Sequence, residues 1–462
     1  MSTDDDSDDA HSAPPFTLDV GLLSPVSIGA GHEASDRSVF SHLVGAELAL
    51  LRAFVATGVA PESVGAAAHA VRMDLWLDLD LPAFAQASVA GGNPVIPLIP
   101  LVRERIAAQD PDAAAWVHRG ATSQDILDTA LMTLGREVSW TVTGSLSLAA
   151  GALLTLAQRH RDDPAAARTL ATHAVPTTLG LKAATWLRSI IRARRRLLEV
   201  VERLPAQLGG AAGTLASFVE WFGADQAAAL PGAFAGKLGL QTIEAPWHTD
   251  RWPVTELGDA LAAVVAAVGS FGTDVALLAR TEIGEASVAD GGGSSAMPQK
   301  QNPVDAVLIR SAALRAPALA AQLHLAAGLA VDERPDGAWH AEWPALQELM
   351  RLALGASAHA AALASGLTFH VDRARANLDL THGLIVSERL GIALVPVIGR
   401  ERFASLIAAA SAGEDLGALL RALPEASELD VADLLDPAQY TGLAARLTDD
   451  AVRRALQDGI RP

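Results

Sequence analysis

The chain contains no cysteine, which excludes disulfides, thiolate metal ligands and cysteine nucleophiles. Lysine is nearly absent as well: it occurs only at Lys182, Lys237 and Lys300 among 35 basic residues. Aromatic residues make up 4% of the chain, and runs of β-branched residues are scarce. Alanine and leucine dominate instead, and this composition favours helices over sheets.

Charged residues are also few, at 19%, and acids outnumber bases to give a formal net charge of -18. This balance argues against nucleic acid or an anionic membrane as a partner. The amino terminus reads MSTDDDSDD, which lacks the basic and then apolar pattern of a signal peptide, so we expect a cytoplasmic protein. The long apolar stretch from Leu257 to Ala279 carries Asp259 and Asp274, and it predicts a buried helix of a soluble protein.

Helical periodicity covers the middle of the chain in unusually long segments, which is typical of a bundle whose helices pack along most of their length. An earlier helical pattern runs from about 38 to 71. The predicted long helices are 123–159, 178–204, 254–283, 303–331 and 343–365. We predict four regions: a disordered acidic tail at 1–15, an N-terminal helical domain at 16–120, a central bundle at 121–366 and a small C-terminal helical domain at 367–462.

The segment 291–303, GGGSSAMPQKQNP, is the most informative stretch of the chain. Asn302 and Pro303 suit an N-cap and first helical position, so a plain connection between two bundle helices would explain them. It would not explain Ser294, Ser295 or Lys300. Glycines that allow close backbone approach, free N–H groups and a lysine beside a helix start predict an anion-binding site.

Three other segments carry candidate residues. In HRGATSQDILDTA (118–130), Thr122 and Asp125 fit a capping box. In RTLATHAVPTTLGLKAATW (168–186), Pro176 interrupts the chain, and Thr177 or Thr178 can cap the next helix. In DERPDGAWHAEWPALQEL (332–349), Arg334 can pair with a carboxylate, whereas Trp339 and Trp343 are expected in the core.

Together these segments resemble the fumarase/aspartase superfamily, whose loop pattern GSS-x-MP-x-K-x-NP is matched at every fixed position. HRGATSQD and GAWHAEW resemble its bacterial 3-carboxy-cis,cis-muconate cycloisomerase branch. The resemblance implies an all-α, three-domain fold with a central bundle of five long helices. It also implies a homotetramer with active sites at subunit corners, each built from three chains, and no metal or organic cofactor.

The implied reaction adds a carboxylate of a small tricarboxylate, 3-carboxy-cis,cis-muconate, across its conjugated double bond to form a lactone, as in protocatechuate breakdown through the β-ketoadipate pathway. Ser294 would transfer the proton, and Lys300 and Asn302 would stabilise the developing charge. The residues expected to contact the substrate are His118, Thr122, Ser123, Gln124, His173, Ser295, Met297 and Arg334.

Fumarate-releasing lyases of the superfamily carry a catalytic histidine where this chain has Leu170. An adenylosuccinate- or argininosuccinate-type lyase is therefore the second alternative, and a catalytically silent structural tetramer is the third. The chain also departs from the cycloisomerase pattern in ways that indicate a shifted substrate, at Thr172, Asp250, Trp252 and Asp332.

Overall fold

The computed structural model describes residues 21–289, 292–293, 297, 300–427 and 429–462. Within these ranges the fold is almost entirely helical, as predicted. The helices, in chain order, are α1 (Asp36–Ala56), α2 (Glu62–Ala70), α3 (Leu81–Ser88), α4 (Val95–Ala107), α5 (Ser123–Arg159), α6 (Leu179–Val201), α7 (Ala216–Phe222), α8 (Ala224–Leu238), α9 (Trp252–Leu278), α10 (Val304–Gly328), α11 (Gly337–Gly366), α12 (Val371–Asp379), α13 (Ser387–Ile398), α14 (Arg400–Ser411), α15 (Leu416–Arg421), α16 (Val431–Leu435) and α17 (Ala444–Gln457).

Five long helices form the central bundle. Helix α5 packs against α6 and α11, and α9 packs against α10, α11 and α6. Small residues allow close approach: a Cβ built on Gly258 would lie 2.3 Å from Leu323 Cδ1 of the neighbouring α10. The five long helices predicted from periodicity all exist. The largest differences are that α9 ends at Leu278 instead of 283 and that α11 begins at Gly337 instead of 343.

Local chemistry explains where two bundle helices begin. Thr122 is the N-cap of α5 and forms a capping box with Asp125. Thr178 accepts a hydrogen bond from the Leu181 N–H (3.1 Å) at the start of α6. Both caps were predicted from the sequence.

Two predictions about helix ends were wrong. The helical pattern at 38–71 is interrupted: α1 ends at Ala56, and Pro61 precedes a separate helix α2. Asn302 is not an N-cap, because it pairs with Gly292 in a short strand, and Pro303 occupies the capping position before Val304. Strand pairing of the loop competes with the local capping preference and determines the backbone there.

The strands are short and lie at one end of the bundle. They are β1 (Pro164–Thr169), β2 (Thr172–Thr178), β3 (Ala286–Val288), β4 (Gly292–Gly293), β5 (Gln301–Asn302) and β6 (Leu367–Phe369). Strands β1 and β2 form an antiparallel hairpin, β3 pairs with β6, and β4 pairs with β5. The hairpin was not anticipated, because its sequence alternates only weakly between apolar and polar residues.

A second, smaller core lies in the C-terminal part of the chain. It gathers buried aliphatic side chains of α12 to α15, including Leu378, Leu390 and Leu420. The last helix, α17, returns to the bundle, and its Ala451 and Ala455 belong to the main core.

Three of the described helices, α1, α5 and α9, are long and apolar enough to cross a membrane by length and composition alone. In the structure α1 packs against α5, and α5 and α9 pack against the other bundle helices. Helix α5 also carries the buried acids Asp125 and Asp128, each paired inside the protein. The apolar character of these helices is thus used for packing within the bundle.

Candidate active site

The predicted site residues fall into two groups at opposite ends of α5. Helix α5 has 37 residues and therefore spans about 55 Å. One group, the amino-end cluster, lies around the first turns of α5 and contains His118, Thr122, Ser123, Gln124 and Arg334. The other, the hairpin-end cluster, lies near the β1–β2 hairpin and the start of α10, and contains His173, Met297, Lys300 and Asn302.

Neighbouring helices identify the two ends. Arg251, which precedes α9, pairs with Asp128 in the second turn of α5. At the other end of α9, Asp274 accepts a hydrogen bond from Trp186 Nε1 (2.7 Å) near the start of α6. A Cβ built on Gly272 would lie 3.1 Å from Ile309 in the first turns of α10. The segment before α10 therefore lies far from the amino end of α5.

Asp125 organises the amino-end cluster. This fully buried carboxylate accepts hydrogen bonds from three backbone N–H groups: those of Thr122 (3.0 Å), Gly209 (2.8 Å) and Gly210 (2.9 Å). His248 Nε2 lies 3.0 Å from the same carboxylate. These contacts hold the 208–213 turn against the start of α5.

Arg334 reaches this turn from the segment before α11. Its Nη2 donates to the Ala211 carbonyl (3.0 Å). Its Nε is buried and has no hydrogen-bond partner within the described part of the chain. A buried guanidinium N–H without a partner is costly unless a ligand completes it, so Arg334 is suited to bind a substrate carboxylate.

Ser123 is partly exposed beside Thr122, whereas Gln124 is fully buried. Gln124 Nε2 donates to the His248 carbonyl (2.8 Å). Gln124 therefore faces the protein interior and supports the turn that carries His248.

His118 is held by a residue that sequence reasoning missed. Its Nδ1 lies 2.6 Å from Oε1 of Glu47, a fully buried acid on α1. Burial alone would lower the pKa of His118, but the hydrogen bond and negative charge of Glu47 outweigh it, so this pKa is raised. His118 also has a φ of 60°, a backbone region in which a non-glycine residue is strained. No local sequence pattern indicated this contact, because Glu47 lies 71 residues from His118 in the sequence.

A buried ion network lies beneath this cluster. Arg251, with no exposed side-chain surface, pairs with Asp128 (2.7 Å) and Glu342 (2.8 Å). Trp339 Nε1 donates to Asp128 Oδ1 (2.9 Å), which confirms the core position expected for this tryptophan. The network joins α5, α9 and α11 at the end where Arg334 lies.

The hairpin end is also rich in charge. Arg168 Nη1 donates to the buried Glu285 Oε2 (3.0 Å), and Asn377 Nδ2 donates to Oε1 of the same carboxylate (2.7 Å). Burial lowers the pKa of Lys182 near this pair. His173 lies opposite Arg168 in the hairpin, and burial and the Arg168 charge lower its pKa. A neutral imidazole at this position can accept or donate a proton.

The Lys300 side chain is exposed, and the backbone N–H of Lys300 donates to the Met297 carbonyl (3.0 Å). Met297 is 43% exposed. Asn302 lies in the β4–β5 pair just before α10. Ser294 and Ser295 lie outside the described residues.

Leu170 forms the tip of the β1–β2 hairpin. Its side chain is 99% exposed, and both turn residues have positive φ, 50° for Leu170 and 70° for Ala171. An alkyl side chain cannot transfer a proton, so this tip supplies no acid or base to a substrate. Across the described ranges, no three His, Asp or Glu side chains gather as metal ligands.

One end of the bundle of five long helices carries Arg334 and the hydroxyl groups of Thr122 and Ser123, and the other end carries Lys182 and Lys300. The chain belongs to the Lyase family, whose model matches residues 41–317, within the fumarase/aspartase superfamily.

The similar proteins carry the names of two different enzymes. It is 48% identical to nitrosuccinate lyase of Streptomyces davaonensis, over 94% of this chain and 95% of that protein. It is 40% identical to 3-carboxy-cis,cis-muconate cycloisomerase of Pseudomonas aeruginosa, over 93% and 94%. Among solved structures, the 3-carboxy-cis,cis-muconate lactonizing enzyme of Pseudomonas putida matches with a TM-score of 0.84 and 36% identity, over 92% and 96%.

Proposed function

We propose that this protein is a lyase that eliminates a weakly basic anion from a small carboxylate, and that its substrate is nitrosuccinate. The observation that carries the choice of leaving group is Leu170, at the place where relatives that release an amine together with fumarate have a catalytic histidine. Amines leave poorly unless they are protonated, so adenylosuccinate or argininosuccinate would need an acid. Nitrite is already a stable anion and needs none.

Two facts support nitrosuccinate over a muconate. The relative named nitrosuccinate lyase shares 48% of its residues with this chain, against 40% and 38% for two cycloisomerases. The chain also departs from the cycloisomerase pattern at Thr172, Asp250, Trp252 and Asp332.

The proposed reaction is a β-elimination. A base removes a proton from the methylene carbon next to one carboxylate. The C–H electron pair forms the carbon–carbon double bond, and the C–N bond breaks with its electrons going to nitrite. The products are fumarate, nitrite and one proton on the base. Negative charge builds up on the carboxylate beside the carbanion, so fixed positive charge there lowers the barrier.

Each residue has a proposed role in this scheme. Ser294 takes the proton, and Lys300 and Asn302 stabilise the charge on the adjacent carboxylate. Thr122, Ser123 and Arg334 hold the substrate carboxylates and orient the C–N bond. His118, whose pKa is raised by Glu47, contacts the substrate at the same end.

These residues cannot meet within one chain, because α5 separates the two clusters by about 55 Å. We therefore propose the homotetramer as the active form, and a cytoplasmic enzyme. A two-fold axis perpendicular to the bundle places the amino-end cluster of one chain beside the hairpin-end cluster of another. Large apolar side chains exposed on the bundle, Trp140 and Leu148 on α5 and Leu314 and Leu325 on α10, offer surface for such packing.

The second candidate remains 3-carboxy-cis,cis-muconate cycloisomerase. Its lactone also opens with loss of a carboxylate, an anion that needs no acid, so Leu170 fits this reaction too. The GAWHAEW segment and the structural likeness to the Pseudomonas putida enzyme favour it.

The deciding experiment offers nitrosuccinate, 3-carboxy-cis,cis-muconate, adenylosuccinate and argininosuccinate separately to the purified protein. Nitrite is measured by diazo coupling, and fumarate and the muconate diene by ultraviolet absorbance. Equal amounts of nitrite and fumarate from nitrosuccinate alone are expected. Turnover of the muconate alone would replace this proposal by the second candidate, and turnover of an amine-releasing substrate would refute the argument from Leu170.

A Ser294→Ala variant tests the silent-tetramer alternative. It is expected to lose activity while keeping the elution volume and helical content of the parent protein. If the parent protein turns over none of the four substrates, this result would favour the structural role.

A further inference from the structure

A cavity of about 400 Å³ lies on the side of the bundle, between α1, α5 and the end of α8. We call it the lateral pocket. Its ionisable lining comes from His42 and Arg52 on α1, Arg136 and Glu137 on α5, and Lys237 on α8. Arg136 is 13 residues into α5, so the pocket lies about 20 Å from the amino end of that helix and farther from the other. It is separate from both clusters of the candidate active site.

The cations of the lateral pocket lack carboxylate partners. Within the described part of the chain, the side chains of Arg52 and Lys237 make no hydrogen bond or ion pair, and the Nε of Arg52 is buried. Arg136 donates only to a backbone carbonyl, that of Leu238 (3.0 Å). Burial lowers the pKa of Arg52, and no neighbouring acid offsets this effect. Three unmatched cations are unexpected in a protein with 53 acidic residues.

The single acid that lines the lateral pocket is already engaged. Glu137 Oε2 lies 3.1 Å from His42 Nε2, and the other ring nitrogen of His42 lies 2.8 Å from the Ser38 carbonyl. Even counting Glu137 as a full negative charge, the three cations leave two positive charges uncompensated. A desolvated guanidinium N–H without a partner is unfavourable until a ligand accepts from it.

We propose that the lateral pocket binds a small oxyanion of charge -2. Guanidinium groups from α1 and α5 would form charge-assisted hydrogen bonds to its oxygens, and Lys237 would supply a third contact. Inorganic phosphate and a dicarboxylate share this chemistry and fit the volume. Because the pocket joins α1 and α8 to α5, a bound dianion would tie these two helices to the bundle.

The test is isothermal titration calorimetry of the full-length protein at low ionic strength with phosphate, and separately with fumarate, against a chloride control. Saturable binding of one phosphate per chain is expected, and of one fumarate per chain in Arg334→Gln, in which the candidate active site is damaged; the stronger of the two identifies the source. Arg52→Gln and Lys237→Gln should each weaken binding about ten-fold. Arg375→Gln, the same charge change at an exposed arginine on α12, should leave it unchanged.

Arg334→Gln separates the lateral pocket from the candidate active site, which also binds anions. Binding that survives Arg52→Gln and Lys237→Gln but is lost in Arg334→Gln overturns the proposal. No saturable binding of either anion overturns it as well. A change of oligomeric state in Lys237→Gln, seen by light scattering without anion binding, would mean that a second copy of the chain neutralises these cations instead.

Discussion

Glu47 and His118 join two distant parts of the chain through a contact of 2.6 Å, with the carboxylate completely buried and the imidazole about one-fifth exposed. Burial lowers the pKa of His118, but the hydrogen bond and negative charge of Glu47 raise it above its ordinary value. The contact also holds the imidazole in place just before the start of α5.

The Glu47–His118 pair predicts a pH dependence of stability. The pKa of His118 is raised in the folded protein, so its stabilising contribution is fully present below the unfolded pKa of about 6.5. It is lost as the pH rises through the folded pKa. Glu47→Gln should lower the pKa of His118, measured by NMR titration of its ring protons. The variant should also show a smaller fall of Tm as the pH rises from about 6.5 through the folded pKa of His118.

A matched control uses an exposed pair. His324 and Asp259 lie 2.9 Å apart with both side chains more than half exposed. Asp259→Asn should leave both the Tm profile and the pKa of His118 unchanged. An unaltered His118 titration in Glu47→Gln would contradict the assigned role of the pair.

Arg251 predicts a large stability effect. Its removal leaves Asp128 and Glu342 buried without a counter-charge, which costs about 3–5 kcal/mol. Burial already raises the pKa of Glu342 despite the arginine. Arg251→Met should therefore lower the free energy of unfolding by about this amount, measured by urea denaturation. Arg402→Met, at the exposed pair with Glu425, should change it by at most about 1 kcal/mol.

Lys300 predicts a loss of activity without a loss of stability. Its side chain is exposed, so Lys300→Gln should fold normally. Without the positive charge beside the carbanion, kcat/KM should fall by about 100-fold or more. Lys300→Arg tests whether a compact ammonium is required, and it should restore only part of the rate. If Lys300→Gln and the parent protein have the same kcat/KM, the proposed role of Lys300 in catalysis would be wrong.

The two separated clusters predict complementation between variants. Arg334→Gln damages the amino-end cluster, and Lys300→Gln damages the hairpin-end cluster, so each variant alone should be inactive. Mixed tetramers formed by co-expression contain some sites with both clusters intact, and they should regain part of the activity. Two variants of one cluster, Arg334→Gln with Thr122→Val, should show no recovery. Activity absent from every mixture would argue for sites built within one chain.

Sequence reasoning predicted the bundle well because its helices are long and rich in alanine and leucine, which favour helix. The start of α5 at Ser123 follows from a capping box that is local in sequence. The contact of Glu47 with His118 could not be predicted, since the two lie 71 residues apart. The same holds for His248 with Asp125 and Arg251 with Asp128, each pair 123 residues apart. Asn302 was misread as a cap because its pairing with Gly292 depends on the whole loop.

Helix α5 carries one half of the proposed catalytic machinery at each end, too far apart to close on itself. A newly synthesised chain in the proposed assembly is therefore inert until it finds other copies. Activity per chain should decline on dilution once subunits dissociate, more steeply than for an enzyme with self-contained sites. A cell that makes this protein would therefore form the reaction products only when the protein concentration is high enough for the subunits to assemble.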